Sequence, residues 1–424
     1  MDVPRKAEDL VEAYRLLDPD RPLEAEWLQA FYAERPEESS INFLMKELLA
    51  DASTNDKTIF TGHRGSGKTT ELARLEETLQ PTHTVVRFNA DSMLNLGDVD
   101  YADVLVVLGL QVFRAARRSG LELDRQKADA LIFWYETHVL EEDEKRRLRS
   151  EVGGEINAAV AKFSVKMATD APRRKTIRSQ AQANLGDLLE RLNLLLVDLA
   201  KKSGRRTMVI VDGLDKVYDL KQVRGLFYEG ANALLEPRCR ALYTVPLALY
   251  HTNEFQQVRM SFPRHFLLSN VKVAERDGAP CPEGRDALSH VLDCRVNRGL
   301  FSSEATERLV DLCGGVLREL VSLARAAVNR GRRVHGEGGP VTADDVEYAA
   351  RRVRNTYRGV LEADQYRELW RIYRGEPFTN SPVARELLHN LSLLQYDGGD
   401  AWWGINPIVR PLLEERAGEL GAQG

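Results

Sequence analysis

The chain has 424 residues, 43% of them hydrophobic and 29% charged, with a formal net charge of −5. That length is enough for several cores in roughly two to four domains, and the acidic balance excludes a polycationic nucleic-acid binder over the chain as a whole. Four cysteines, Cys239, Cys281, Cys294 and Cys313, stand without a C-x-x-C pair, which fits a reducing compartment better than a disulfide scaffold or a zinc site.

Residues 1–9 are polar and charged and show no signal peptide. The longest apolar stretch, residues 104–113, is interrupted by Gly109 and Gln111 and is too short to span a bilayer. The expectation is a cytoplasmic protein with no membrane partner. Residues 1–56 read as an amphipathic N-terminal helical segment, broken by Asp18-Pro19-Asp20-Arg21-Pro22.

Thr58-Ile59-Phe60-Thr61 predicts a short buried strand. It runs into Gly62-His63-Arg64-Gly65-Ser66-Gly67-Lys68-Thr69, which matches G-x-x-x-x-G-K-[ST]. Glycines let such a loop curl into a nest whose N–H groups face phosphate oxygens. Lys68 can then reach the β- and γ-phosphates as a mobile charge, and the Thr69 hydroxyl is placed to ligate Mg²⁺. Apolar residues recur at helical spacing from Thr70 to Leu75, so strand, glycine loop and helix follow in the order the motif requires. The predicted phosphate cradle is Gly62, Arg64, Gly65, Ser66, Gly67, Lys68, Thr69 and Thr70.

Val85-Val86-Arg87-Phe88-Asn89 predicts a second strand, and residues 102–199 a long helical insertion. The run 141–147 sets acids four residues before bases, as on a solvated helix laced with ion pairs. Arg173-Arg174-Lys175, after Pro172, reads as a helix start or an exposed turn.

Met208-Val209-Ile210-Val211-Asp212 is an apolar strand ending in an acid, with Gly213-Leu214-Asp215 behind it. Asp212 suits the Mg²⁺ shell at the sheet edge. Asp215 is read as the carboxylate that activates the attacking water; the competing reading is a cap for the following helix. Arg240-Ala241-Leu242-Tyr243-Thr244-Val245 predicts a further strand. Beyond residue 285 the pattern is helical, with a Gly-rich loop at 331–340. Arg325, Arg330, Arg332, Arg333, Arg351, Arg352, Arg354 and Arg358 surround that loop, mostly as solvated helix faces.

Ser381-Pro382 opens a predicted helix carrying Val383, Leu387, Leu388, Leu391 and Leu394. Gln395-Tyr396, a turn at 397–400 and Trp402-Trp403-Gly404-Ile405 read as a hairpin, and Asn406-Pro407 opens a closing helix through Leu413. Alternation sets Trp402 and Trp403 on opposite faces, for packing or for a partner. Residues 361–424 hold six Arg, no Lys and ten Asp or Glu, a net of −4. Phosphate neutralisation needs a basic face, so a protein contact or an autoinhibitory role is favoured here over DNA reading.

Asp212-Gly213-Leu214-Asp215 resembles the Walker B strand of the STAND and NACHT signalling ATPases, a branch related to AAA+. Those families usually follow the second Asp with Glu; this chain has Lys216. Thr244 sits where an AAA+ sensor 1 residue would, or is an ordinary strand residue. Gly314-Gly315-Val316-Leu317-Arg318-Glu319-Leu320 is similar to the sensor 2 motif of AAA+ lids, including those of origin-recognition ATPases. The resemblance implies that Arg318 reaches the γ-phosphate from the lid, and makes Arg264 a candidate arginine finger. Helix, hairpin and helix at the C-terminus resemble a winged-helix domain.

The implied fold is α/β, a P-loop NTPase parallel sheet with a helical insertion, a helical lid and a C-terminal winged-helix domain. Its expected boundaries are 1–56, 57–270 with the insertion at 102–199, 271–360 and 361–424. The implied cofactors are ATP and Mg²⁺, with Lys68, Asp212, Asp215, Arg318 and Thr244 as catalytic residues and Thr69 and Asp212 as metal ligands. The implied role is a regulatory ATPase switch for a protein effector, of the signalling or bacterial defence kind, forming a homo-oligomer. A DNA-associated ATPase of the origin-recognition or transposition-regulator kind is the alternative, with nucleic acid the less favoured partner.

Overall fold

The computed structural model describes residues 4–36, 40–51, 53–140, 167, 169–397 and 401–421. The charge run at 141–147 and the turn residues 398–400 lie outside the described residues.

The fold is α/β. Five strands, β1 (Lys57–Gly62), β2 (His83–Asn89), β3 (Arg206–Asp212), β4 (Arg240–Thr244) and β5 (Arg264–Leu268), form one sheet in the order β2-β3-β4-β1-β5. β1 runs parallel to β4, with Lys57 opposite Ala241 and Phe60 opposite Thr244. β3 runs parallel to β2 and to β4, with Asn89 opposite Asp212 and Val211 opposite Tyr243. Parallel neighbours require crossovers, and helices supply them. All six residues of β1 and all five of β4 are buried, so neither strand shows the alternation of a half-exposed sheet.

The chain divides into two compact units, one of Met45–Thr61 and Leu75–Phe266, the other of Met1–Leu44, Gly62–Arg74 and Leu267–Gly424. In the first of these, Ile59, Val86, Val209, Val211 and Tyr243 share a core with Leu105, Leu195 and Trp134 of the helical insertion. The insertion contains helices Tyr101–Arg118, Arg125–His138, Ala171–Ala183 and Leu185–Ser203. Asp100 and Asp103 close a capping box at the start of the first, and Gly204, at φ 64°, ends the last and releases the chain into β3. Arg173 and its neighbours do open a helix, capped by Asp170.

A charged cluster lies at the amino edge of the sheet. Arg240, fully buried, lies 3.4 Å from Asp51 and 3.6 Å from Asp56, and Arg264 pairs with the same two carboxylates. Arg264 is therefore engaged within the chain, next to the residue that precedes β1.

In the other unit, helices Ser303–Leu312, Leu317–His335 and Ala343–Val360 pack together, and the N-terminal helix Leu10–Leu16 packs on the second of them. Gly331, expected in a loop, is buried inside Leu317–His335 against Val341. The helix ends instead at Gly336, where φ is 80°. Four of the loop-flanking arginines serve internal contacts. Arg325 pairs with Asp18 and lies over Tyr14, Arg330 pairs with Asp345, Arg354 donates to Ile408 O and Arg358 pairs with Glu415.

The C-terminal helix, hairpin and helix are present, with shifted ends. Helix Pro382–His389, capped by Ser381, stops before Leu391, which has φ 64°, and Leu394 belongs to β6 (Leu393–Tyr396). All four residues of β6 are buried, so no alternation distinguishes its leucines from a helical row. β6 pairs antiparallel with β7 (Trp402–Ile405). The closing helix spans Arg410–Glu415 and not Asn406 onward, because the Asn406 side chain holds a turn by accepting from Ile408 N at 2.9 Å. Trp402 stacks on Tyr396 with centroids 4.3 Å apart, and Trp403 stacks on Phe378 at 4.2 Å. Both tryptophans thus have packing partners. They also line a cavity of about 610 Å³ with Tyr373, Arg276 and Arg410.

Candidate functional site

The chain leaves β1 for the glycine loop at the carboxyl edge of the sheet, the edge at which β3 ends in Asp212 and β4 in Thr244. That edge is where open parallel sheets place their ligands. Gly65 and Gly67 have φ of 83° and 96°. A Cβ on Gly65 would lie 2.7 Å from Arg318 Cβ, and one on Gly67 2.9 Å from Leu317 Cδ1. Side chains are excluded at both positions by conformation and by space. The loop closes through Ser66 N–H to His63 O at 3.1 Å, and helix Lys68–Leu79 begins at once. Lys68, only 5% exposed, donates from Nζ to Gly62 O at 2.9 Å and His63 O at 2.8 Å, so its ammonium lies within the loop.

These features fit a phosphate tail. Loop N–H groups, a helix N-terminus and a buried ammonium all favour negative charge. Arg64 is exposed, and Ser66 is buried. Thr70 Oγ1 accepts from Leu23 N–H at 3.4 Å.

Asp212 is 1% exposed and accepts from Gly213 N–H at 2.7 Å. Gly213 has φ 85°, and a Cβ there would lie 2.4 Å from Asn89 Oδ1. The position directly after Asp212 therefore favours glycine. Asp215 lies in the short turn Leu214–Lys216, and its N–H donates to Thr244 Oγ1 at 3.4 Å. The same hydroxyl donates to Val211 O, so Thr244 ties the Asp215 turn to the sheet. The following helix, Leu220–Arg224, is capped by Asp219, which leaves the capping role to a residue other than Asp215. Lys216 pairs with Asp91 at 2.5 Å.

Arg318 meets the loop through its backbone: its N–H donates to Gly65 O at 3.0 Å. Its guanidinium turns toward Pro19 O at 3.2 Å and Asp20 at 2.8 Å, because that carboxylate is within reach. Reaching a phosphate from this position requires exchanging Asp20. His63 accepts at Nε2 from Gln395 N–H at 2.7 Å, which joins the loop to β6. Burial first, then the Arg64 cation, hold His389 below its ordinary value.

Three residues at the loop escaped the sequence reading. Arg35, 9% exposed, donates from Nε to Glu71 Oε1 at 2.9 Å and from Nη2 to Ser66 O. Glu71 is 2% exposed. Tyr32 Oη lies 3.2 Å from Glu71 Oε2 and accepts from Arg74 Nη1 at 2.7 Å. Burial, then the Glu71 charge, drive the Tyr32 phenol well above its usual value, so it stays a donor to that carboxylate. Glu71 is visible in the sequence as an acid in the first turn of the loop helix. Arg35 has no local signal, because its partner lies 36 residues away.

Among the described residues, no cluster of His, Cys, Asp or Glu forms a metal site of its own, and no helix is long and apolar enough to cross a membrane. The chain matches no known protein-family model and no curated protein. Solved structures similar to it include the ORC2 protein of Aeropyrum pernix, in ADPNP and ADP complexes. That match has 14% identity over 95% of this chain and 98% of the other, with a TM-score of 0.44. A Walker-type ATPase of Pyrococcus abyssi matches at 13% identity over 94% and 99%, TM-score 0.47. The ORC1 protein of Aeropyrum pernix, in complex with DNA, matches at 15% identity over 95% and 96%, TM-score 0.42.

Proposed function

We propose that the chain is a Mg²⁺-dependent ATPase of the AAA+ kind, working as a nucleotide-driven switch for a partner protein. One observation carries the reading: a loop with two sterically obligatory glycines encloses the Lys68 ammonium at the start of a twelve-residue helix. Backbone N–H groups of the loop and Lys68 bind the phosphates. Thr69 and Asp212 would hold Mg²⁺, which when bound neutralises phosphate charge. Asp215 takes the proton of the attacking water, and Thr244 keeps its turn in place. Arg318, already on the loop through its N–H, would report the state of the γ-phosphate. A protein effector, self-association and a signalling or defence setting rest on the STAND-like Walker B residues.

The Arg-rich residues 325–358 argue mildly for the DNA-associated alternative. The internal contacts of Arg325, Arg330, Arg354 and Arg358 weaken it. DNA-stimulated hydrolysis that falls steeply with salt would reinstate it.

The test is ATP binding and turnover by the full chain. Lys68→Ala is expected to lose ATP binding by about 100-fold or more. Asp215→Asn is expected to retain binding and lose turnover by about 10²–10⁴-fold. Undiminished ATP affinity in Lys68→Ala sinks the reading.

A further inference from the structure

We propose that Arg35 is a positioning residue for the glycine loop; this rests on the reading that the loop grips a triphosphate tail. The guanidinium donates to Ser66 O from Nη2, to Glu71 Oε1 from Nε at 2.9 Å and to Ser269 O from Nη1 at 3.3 Å. In a trans peptide the carbonyl of one residue and the N–H of the next point in opposite directions. A donor clamped on Ser66 O therefore fixes the direction of Gly67 N–H, which points away from Arg35. Gly67 is the residue directly before the lysine, and its N–H is one of those a phosphate must find already aimed.

The clamp is itself held. Glu71 lies in the first turn of the loop helix and donates its own N–H to Gly67 O at 3.0 Å. Tyr32 and Arg74 occupy the far side of the Glu71 carboxylate. One planar fork thus spans the loop peptide, the helix that follows it and Ser269. A lysine ammonium is a compact point charge and does not reproduce a planar fork that meets these acceptors from three separate nitrogens. An added Cβ at Gly67 would lie 3.0 Å from Arg35 Nη2, so the glycine leaves room for the guanidinium. The outcome is a preorganised anion nest whose geometry is set from the N-terminal segment.

The test compares the full chain with Lys68→Ala, Arg35→Lys and the double variant Arg35→Met with Glu71→Gln. The double variant removes both buried charges together and leaves neither uncompensated. Binding of Mg²⁺-ATP and of adenosine is measured by calorimetry, and melting is followed without ligand. The double variant is expected to stay folded, to bind ATP at least about tenfold more weakly and to change adenosine affinity by less than about twofold. Arg35→Lys is expected to fall between it and the wild type.

Wild-type ATP affinity in the folded double variant overturns the proposal and leaves the loop reading intact. Equal losses for ATP and adenosine also overturn it, because Arg35 then supports the fold at large. A wild-type chain that binds no ATP overturns the loop reading and this one with it. Should the double variant not fold, the same two affinities in Arg35→Lys decide.

Discussion

Lys216 stands where the pattern that this chain resembles usually has Glu, and Gly213 directly follows Asp212. Gly213 occupies a left-handed conformation against Asn89, and Lys216 is paired with Asp91. Placing an acid directly after Asp212 with Gly213→Glu is therefore expected to lower stability by about 1–3 kcal/mol through strain and collision, without raising turnover. Thermal melting and steady-state hydrolysis check this; a faster, equally stable variant refutes it. The residues of the glycine motif were legible because their chemistry is local: three glycines, a lysine and a threonine in eight positions. Asp215 was legible as an acid, but its support was not, since Thr244 reaches it from the neighbouring strand, 29 residues along the chain. Arg35 was invisible for the same reason. Pairing between a segment and a loop far along the chain leaves no spacing to read.

At the scale of elements, the sheet was readable because its buried strands have short apolar centres, and β1, β3 and β4 fell within a residue or two of their expected ends. The hairpin strand β6 was less so, being four buried residues that continue a helical row of leucines. The β2 edge holds a titration that the sequence does not show. His83 opens β2, 1% exposed, with Arg206 and Arg240 nearby. Burial first, then those two cations, hold its imidazole down to about 4. A depressed folded value means the neutral ring stabilises the fold above the unfolded value of about 6.5, and that contribution is lost as pH falls from there through 4. The loss is expected to reach about 2 kcal/mol, with screening by solvent allowed for. His83→Gln is expected to flatten the pH dependence of melting between pH 7 and pH 4, as far as this group contributes. An unchanged slope in that variant would show that other groups carry it.

At the scale of the whole molecule, the loop gathers segments from most of the chain's length. Arg35 reaches it from the N-terminal side, Val316 and Arg318 from the helix after the glycine pair, and Gln395 from the hairpin. Each contact is a hydrogen bond or close packing at the loop itself, so each segment feels a change in loop rigidity. Ligand at about 100 times its Kd stabilises the bound state by about 2.7 kcal/mol, which is the most that any opening requiring nucleotide release can gain. Saturating Mg²⁺-ATP is thus expected to slow amide exchange by up to about 100-fold in three separate stretches, around Tyr32–Arg35, Val316–Arg318 and Leu393–Gln395. The exposed C-terminal part of helix Ala343–Val360, which meets none of the loop residues, is expected to exchange at an unchanged rate. In Lys68→Ala all three effects should vanish together. Protection confined to residues 62–69 would mean that the loop binds nucleotide without informing the rest of the chain, and the switch would lose its physical basis even with the ATPase intact.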